Sequence, residues 1–129
     1  MIPEEIARSA YVSLATHRRD GTPVPTPVWA VAEDGELLVW TRSDSWKVKR
    51  LRRDRRVTVT PCDVRGRIAP HARPVAGTAR LLEDPEGLAR VRRAMARKYG
   101  WRYRLADWSG LVVRLGKRPH TGIAVAFPD

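Results

Sequence analysis

The chain has 129 residues and a formal net charge of +11, from 25 Lys and Arg against 14 Asp and Glu. This length suits a single domain spanning residues 1–129 with one core, and a hydrophobic content of 43% excludes a disordered chain. One cysteine, Cys62, excludes an internal disulfide framework and a multi-cysteine zinc site, while the charge favours an anionic partner.

Residues 1–9 read as a short helix, with no apolar run in residues 1–21 long enough for a signal peptide or a spanning helix. The expected location is therefore the cytoplasm, away from any membrane. Tyr11–His17 alternates with period two and ends at Asp20-Gly21, a hairpin signal. Thr26–Ala32 is the second predicted strand, and Pro23, Pro25 and Pro27 confine its start to an edge or an irregular entry. Asp34-Gly35 makes a second tight turn before a strand over Glu36–Thr41.

The polar break Arg42–Ser45 is rich in helix-capping groups and precedes a short basic helix, Trp46–Arg53. Arg56–Cys62 returns to strand character with Val57 and Val59 on one face, and Val75–Leu82 is a fifth strand. Asp84 as N-cap and Pro85 at the first helical position open a longer helix. Leu88, Val91 and Met95 line one side of it, with Arg90, Arg93 and Arg97 as a solvated face. Gly110–Leu115 and Gly122–Phe127 close the chain as strands. Strands joined by tight turns pair antiparallel, so the predicted class is mainly β, a barrel with helices. Neither Gly-rich nucleotide loop is present.

The stretch from Val39 to Val57 carries the chemistry. A strand ends in Thr41, a polar loop follows, and a helix starts near Ser45 with Lys47 in its first turn. A helix N-terminus offers free N–H groups and a positive dipole end; the Thr41 and Ser45 hydroxyls and the Lys47 charge add donors for a phosphate.

Here the sequence resembles the pyridoxamine 5′-phosphate oxidase-like flavin-binding split barrels. Trp40-Thr41, Ser45, Lys47, Leu51 and Asp54-Arg55-Arg56-Val57 match that family's pattern in register, and Asp20–Trp29 is similar to its proline-rich hairpin. The resemblance implies a dimeric antiparallel split β-barrel of FMN-binding type, with a small-molecule substrate. It implies that Thr41, Ser45 and Lys47 hold a cofactor phosphate, and that Pro27, Val28 and Trp29 run beneath the ring system. Members that bind FMN usually carry Arg just before the Lys, where this chain has Trp46; Arg42, Lys49 or Arg50 then supply the charge. The basic helix, Pro61-Cys62-Asp63 and Gly77–Arg80 look closest to the branch that uses coenzyme F420, with FMN the alternative. The resemblance implies an oxidoreductase that transfers hydride to or from a small organic substrate, in a homodimer with the cofactor site at the interface. No catalytic residue is assigned.

His17, His71 and His120 are isolated and read as surface residues, with no metal site expected. Cys62 reads as a small apolar group, and Trp46, Trp101 and Trp108 are stacking, interface or packing residues alike. Two rivals stand beside the oxidoreductase. One is a non-catalytic carrier of F420, flavin or haem. The other is a basic barrel that stacks nucleic-acid bases; against it, the aromatics are not gathered with the arginines on one strand face, so nucleic acid is not the expected partner.

Overall fold

The computed structural model describes residues 2–99 and 120–128. The elements run α1 (Glu4–Arg8), β1 (Tyr11–His17), β2 (Pro23–Glu33), β3 (Glu36–Arg42), α2 (Trp46–Arg53), β4 (Arg56–Cys62), β5 (Val75–Leu82), α3 (Pro85–Tyr99) and β6 (His120–Ala126). The expected strand Gly110–Leu115, with Trp101 and Trp108, lies outside the described residues.

The six strands of the described residues pair antiparallel and close into a barrel in the order β1-β2-β3-β6-β5-β4. The β2–β3 turn shows how local chemistry sets this path. Asp34 and Gly35 both have positive φ, 49° and 81°, the combination that a two-residue mirror-image turn requires, and Glu33 faces Glu36 directly across it.

β2 begins three residues earlier than the sequence suggests, at Pro23. Its first part, Pro23–Trp29, pairs with β1 from His17↔Pro23 to Tyr11↔Trp29, and its last part pairs with β3 from Ala30↔Val39 to Glu33↔Glu36. Prolines at every second position direct all their missing N–H donors to one side of the strand. The side without β3 needs no donors there, so the strand carries the prolines without losing ladder bonds.

Alternation along the strands separates two apolar layers. Val12, Leu14, Val28, Leu37, Val39, Val57, Val59, Ile123 and Val125 fill the barrel, joined by Ile6 from α1 and Leu51 from α2. Val31, Leu38 and Ala124, on the opposite face, pack with Leu82 against Val91, Ala94 and Met95 of α3. Helix α3 sits close because β6 has Gly122 beneath it: a Cβ there would lie 2.8 Å from Val91 Cγ2.

Of the three arginines expected on a solvated face of α3, Arg93 and Arg97 are exposed, whereas Arg90 is largely covered. Arg90 bonds Glu33 at 3.1 Å and Glu36 at 2.9 Å, and Arg97 bonds Glu33 at 2.5 Å. Arg80 of β5 donates to the same Glu36 oxygen, Oε1, also at 2.9 Å. The β2–β3 turn is thereby clamped to α3 and β5. Arg90 is only 23% exposed because the turn folds back under the helix, which helical periodicity cannot reveal.

Candidate functional site

The inward alternation of three strands runs one step beyond the apolar core and ends in threonine: Thr16 on β1, Thr41 on β3 and Thr121 on β6. All three are buried. Thr41 stands directly opposite Thr121 in the β3–β6 register, and the Ser43 hydroxyl lies 2.6 Å from that of Thr121. One end of the barrel is thus lined with hydroxyls, and α2 lies across it through buried Val48 and Leu51.

Ser45 is the N-cap of α2. Its Oγ accepts from the Val48 N–H at 3.4 Å and from the Thr41 hydroxyl at 3.5 Å, which leaves its own proton to donate outward. Lys47 follows in the first turn and is half-buried. Burial pushes its amine below the ordinary lysine range, and the charges of Arg50 and Arg42 push it further in the same direction. Among the described residues no carboxylate pairs with Lys47. Arg50 lies beside this mouth and donates to Thr16 Oγ1 at 3.4 Å.

The structure divides the residues that the sequence singled out. Thr41, Ser45, Lys47 and Arg50 come together at the mouth. Arg42 is next to it but is held by Asp44 through two 3.0 Å bonds, so its charge is partly neutralised. Lys49 turns outward, its Nζ 4.4 Å from the centre of the Trp46 ring. Pro27, Val28 and Trp29 lie on β2 just past its last pair with β3, where the two strands part. Val28 points into the barrel and is buried, Pro27 is exposed, and Trp29 meets Tyr11 edge-on at 6.1 Å.

Three further groups escaped the sequence reading. Thr16, Ser43 and Thr121 belong to the mouth, yet Ser43 and Thr121 are 78 residues apart in the chain. The one available signal was the threonine that replaces an aliphatic residue at the end of each inward series. His120 stacks on Trp40 with ring centres 4.9 Å apart, and Arg92 lies over the same indole at 5.2 Å.

No group of metal-ligating side chains occurs among the described residues, and no described helix is long and apolar enough to cross a membrane. Cys62 is partly buried, and burial, followed by the Asp63 charge, raises its thiol above the ordinary range. A thiol so held is poorly nucleophilic.

A closed antiparallel barrel whose β2 and β3 separate beside a cationic mouth is a split barrel of the flavin-binding type. The sequence profile described as Pyridoxamine 5′-phosphate oxidase matches residues 2–125, and the chain belongs to that family. Solved structures agree with the fold. A conserved hypothetical protein of Mycobacterium tuberculosis is 29% identical with a TM-score of 0.70, covering 100% of this chain and 82% of that one. The heme storage protein HutZ of Vibrio cholerae is 15% identical with a TM-score of 0.70, over 98% of this chain and 87% of that one. A structure named F420 reductase is 21% identical with a TM-score of 0.64, over 99% and 97%. None of the curated proteins matches the chain by sequence.

Proposed function

We infer that this chain binds coenzyme F420, with FMN the alternative, and serves as an oxidoreductase that passes hydride between the cofactor ring and a small organic substrate. The observation that carries this reading is Lys47, a half-buried cation facing Arg50 and Arg42 with no carboxylate of the described residues to balance it. A bound phosphate removes that imbalance. Lys47 then supplies charge, Ser45 and Thr41 donate hydroxyl protons to the phosphate oxygens, and Arg50 adds a second cation.

The bound ring supplies the hydride chemistry. The chain contributes orientation: the backbone of Pro27–Trp29 borders the gap between β2 and β3 and would hold the ring of a cofactor whose phosphate Lys47 and Ser45 bind. The family supports a flavin-like cofactor, and the F420 reductase neighbour favours the deazaflavin. Trp46, in place of a cation before Lys47, also speaks against FMN. We extend the reading to a cytoplasmic homodimer in which the partner copy completes the site, since among the described residues no strand lies beside the outer edge of β2 over Pro23–Trp29.

The test is a fluorescence titration with F420 and, separately, with FMN, followed by turnover assays with candidate substrates. Micromolar or tighter F420 binding that weakens 10- to 150-fold in Lys47→Ala, corresponding to about 1.5–3 kcal/mol, is the expected result. Unchanged affinity in that variant would remove Lys47 from the site. Tight binding without turnover under any donor would make the protein a carrier instead of an enzyme.

A further inference from the structure

A second concentration of charge lies outside the hydroxyl-lined mouth. Arg18 and Arg19, on the turn between β1 and β2, line an open hollow of about 830 Å3 together with Lys49, Arg50 and Arg53 of α2. Trp46 forms part of the wall, and no carboxylate lines it. Among the described residues none of these five cations forms an ion pair. Arg53 donates to the His17 carbonyl at 2.7 Å and Arg50 to Thr16, contacts that orient the guanidinium groups without neutralising them.

The aromatic group is as exceptional as the charge. Trp46 is 68% exposed, the highest value among the exposed large apolar side chains of the described residues. With Lys49 over its ring, the indole is oriented and its remaining surface stays open. An exposed indole ringed by cations calls for a partner that carries both negative charges in series and flat rings. An acidic peptide offers the charges alone, and a lipid surface is too flat to enter a concave hollow. A single nucleic-acid strand has phosphates at regular intervals and bases that stack on aromatic side chains.

We propose that the hollow between the β1–β2 turn and α2 binds single-stranded nucleic acid, with one base stacked on Trp46 and phosphates against Arg18, Arg19, Lys49, Arg50 and Arg53. The sequence argued against this partner because the aromatics are not gathered with the arginines on one strand face. The fold changes that premise by bringing Arg18 and Arg19 from another element to the same hollow as Trp46. The proposal shares Arg50 with the cofactor reading but requires neither Lys47 nor the β2–β3 gap.

The test is fluorescence anisotropy of a labelled single-stranded oligothymidylate of about 12 nucleotides across a salt series. Five neutralised phosphates give a slope of log affinity against log salt near about −3.5, from roughly −0.7 per phosphate on a single strand. Trp46→Ala should weaken binding by roughly 5- to 150-fold. Replacing Arg18 and Arg19 together by Ala should flatten the slope by about 1.4. Lys47→Ala should leave oligonucleotide affinity unchanged while reducing cofactor affinity, so the two readings fail separately. Both exposed-site variants must retain the wild-type circular dichroism spectrum. Absence of binding, or binding that is undiminished in Trp46→Ala, overturns the proposal. Equal affinity for polyglutamate or for anionic phosphatidylglycerol vesicles also overturns it, because charge alone would then explain the hollow.

Discussion

Lys47 and Arg50 lie one helical turn apart on α2, and the charge of Arg50 adds to burial in holding the Lys47 amine below its ordinary value. Two cations at this spacing destabilise a helix, so their juxtaposition at a hydroxyl-lined mouth favours ligand binding at the expense of the free fold.

Lys47→Met should therefore stabilise the free protein while weakening phosphate binding. In the unfolded chain the amine regains a value near 10.5, above its folded value. The penalty for burying the charged form is thus full below the folded value and fades as pH rises through it. Urea denaturation at neutral pH should show a gain of about 0.5 kcal/mol or more, shrinking at alkaline pH. A less stable variant would mean that Lys47 contributes to the fold through packing.

The clamp on the β2–β3 turn has the opposite sign. Arg80's hydrogen bonds, with those of Arg90, outweigh burial and hold the Glu36 carboxyl below 4.5. Its stabilising contribution is present above that unfolded value and is lost as pH falls through the lower folded one. Glu36→Gln should cost about 1–2 kcal/mol at pH 7, discounted because Arg80 is half exposed. The gap between variant and wild type should close in acid. A pH-independent difference would point to lost packing.

Gly122→Ala should loosen the seat of α3. The added methyl would meet Val91 Cγ2 at 2.8 Å and Leu82 Cβ at 3.1 Å, one on the helix and one on the neighbouring strand. Overpacking of this kind costs about 1–3 kcal/mol, read as a lower urea midpoint with an unchanged slope.

Lys98 of α3 is half-buried and donates to the carbonyls of Ala7 at 3.3 Å, Ser9 at 2.6 Å and Ala30 at 2.9 Å. It joins the end of α1 to the point where β2 leaves β3. Lys98→Met should destabilise by about 1.5–3 kcal/mol and speed hydrogen exchange at Ile6 and Ala7 before the rest of the chain. Uniform acceleration would show that α1 does not open separately.

Much of this architecture is local and was legible in the chain. Asp34-Gly35 specifies its turn, Ser45 caps α2, and alternation over Tyr11–His17 and Glu36–Thr41 identifies the strands, because backbone sterics and side-chain period act within a few residues. The Thr41–Ser45–Lys47 cluster was legible for the same reason: a strand end and the helix after it are neighbours in sequence and in space. Other features depend on where distant segments meet. The prolines of β2 are tolerated because β3 stops short of them. Arg90 and Arg97 find Glu33 because a turn folds under α3. Ser43 meets Thr121, and Arg18 and Arg19 join Trp46, through closure of the barrel. Residue type and period fix which face a side chain occupies; only the long-range register of the closed barrel decides which side chain stands opposite it.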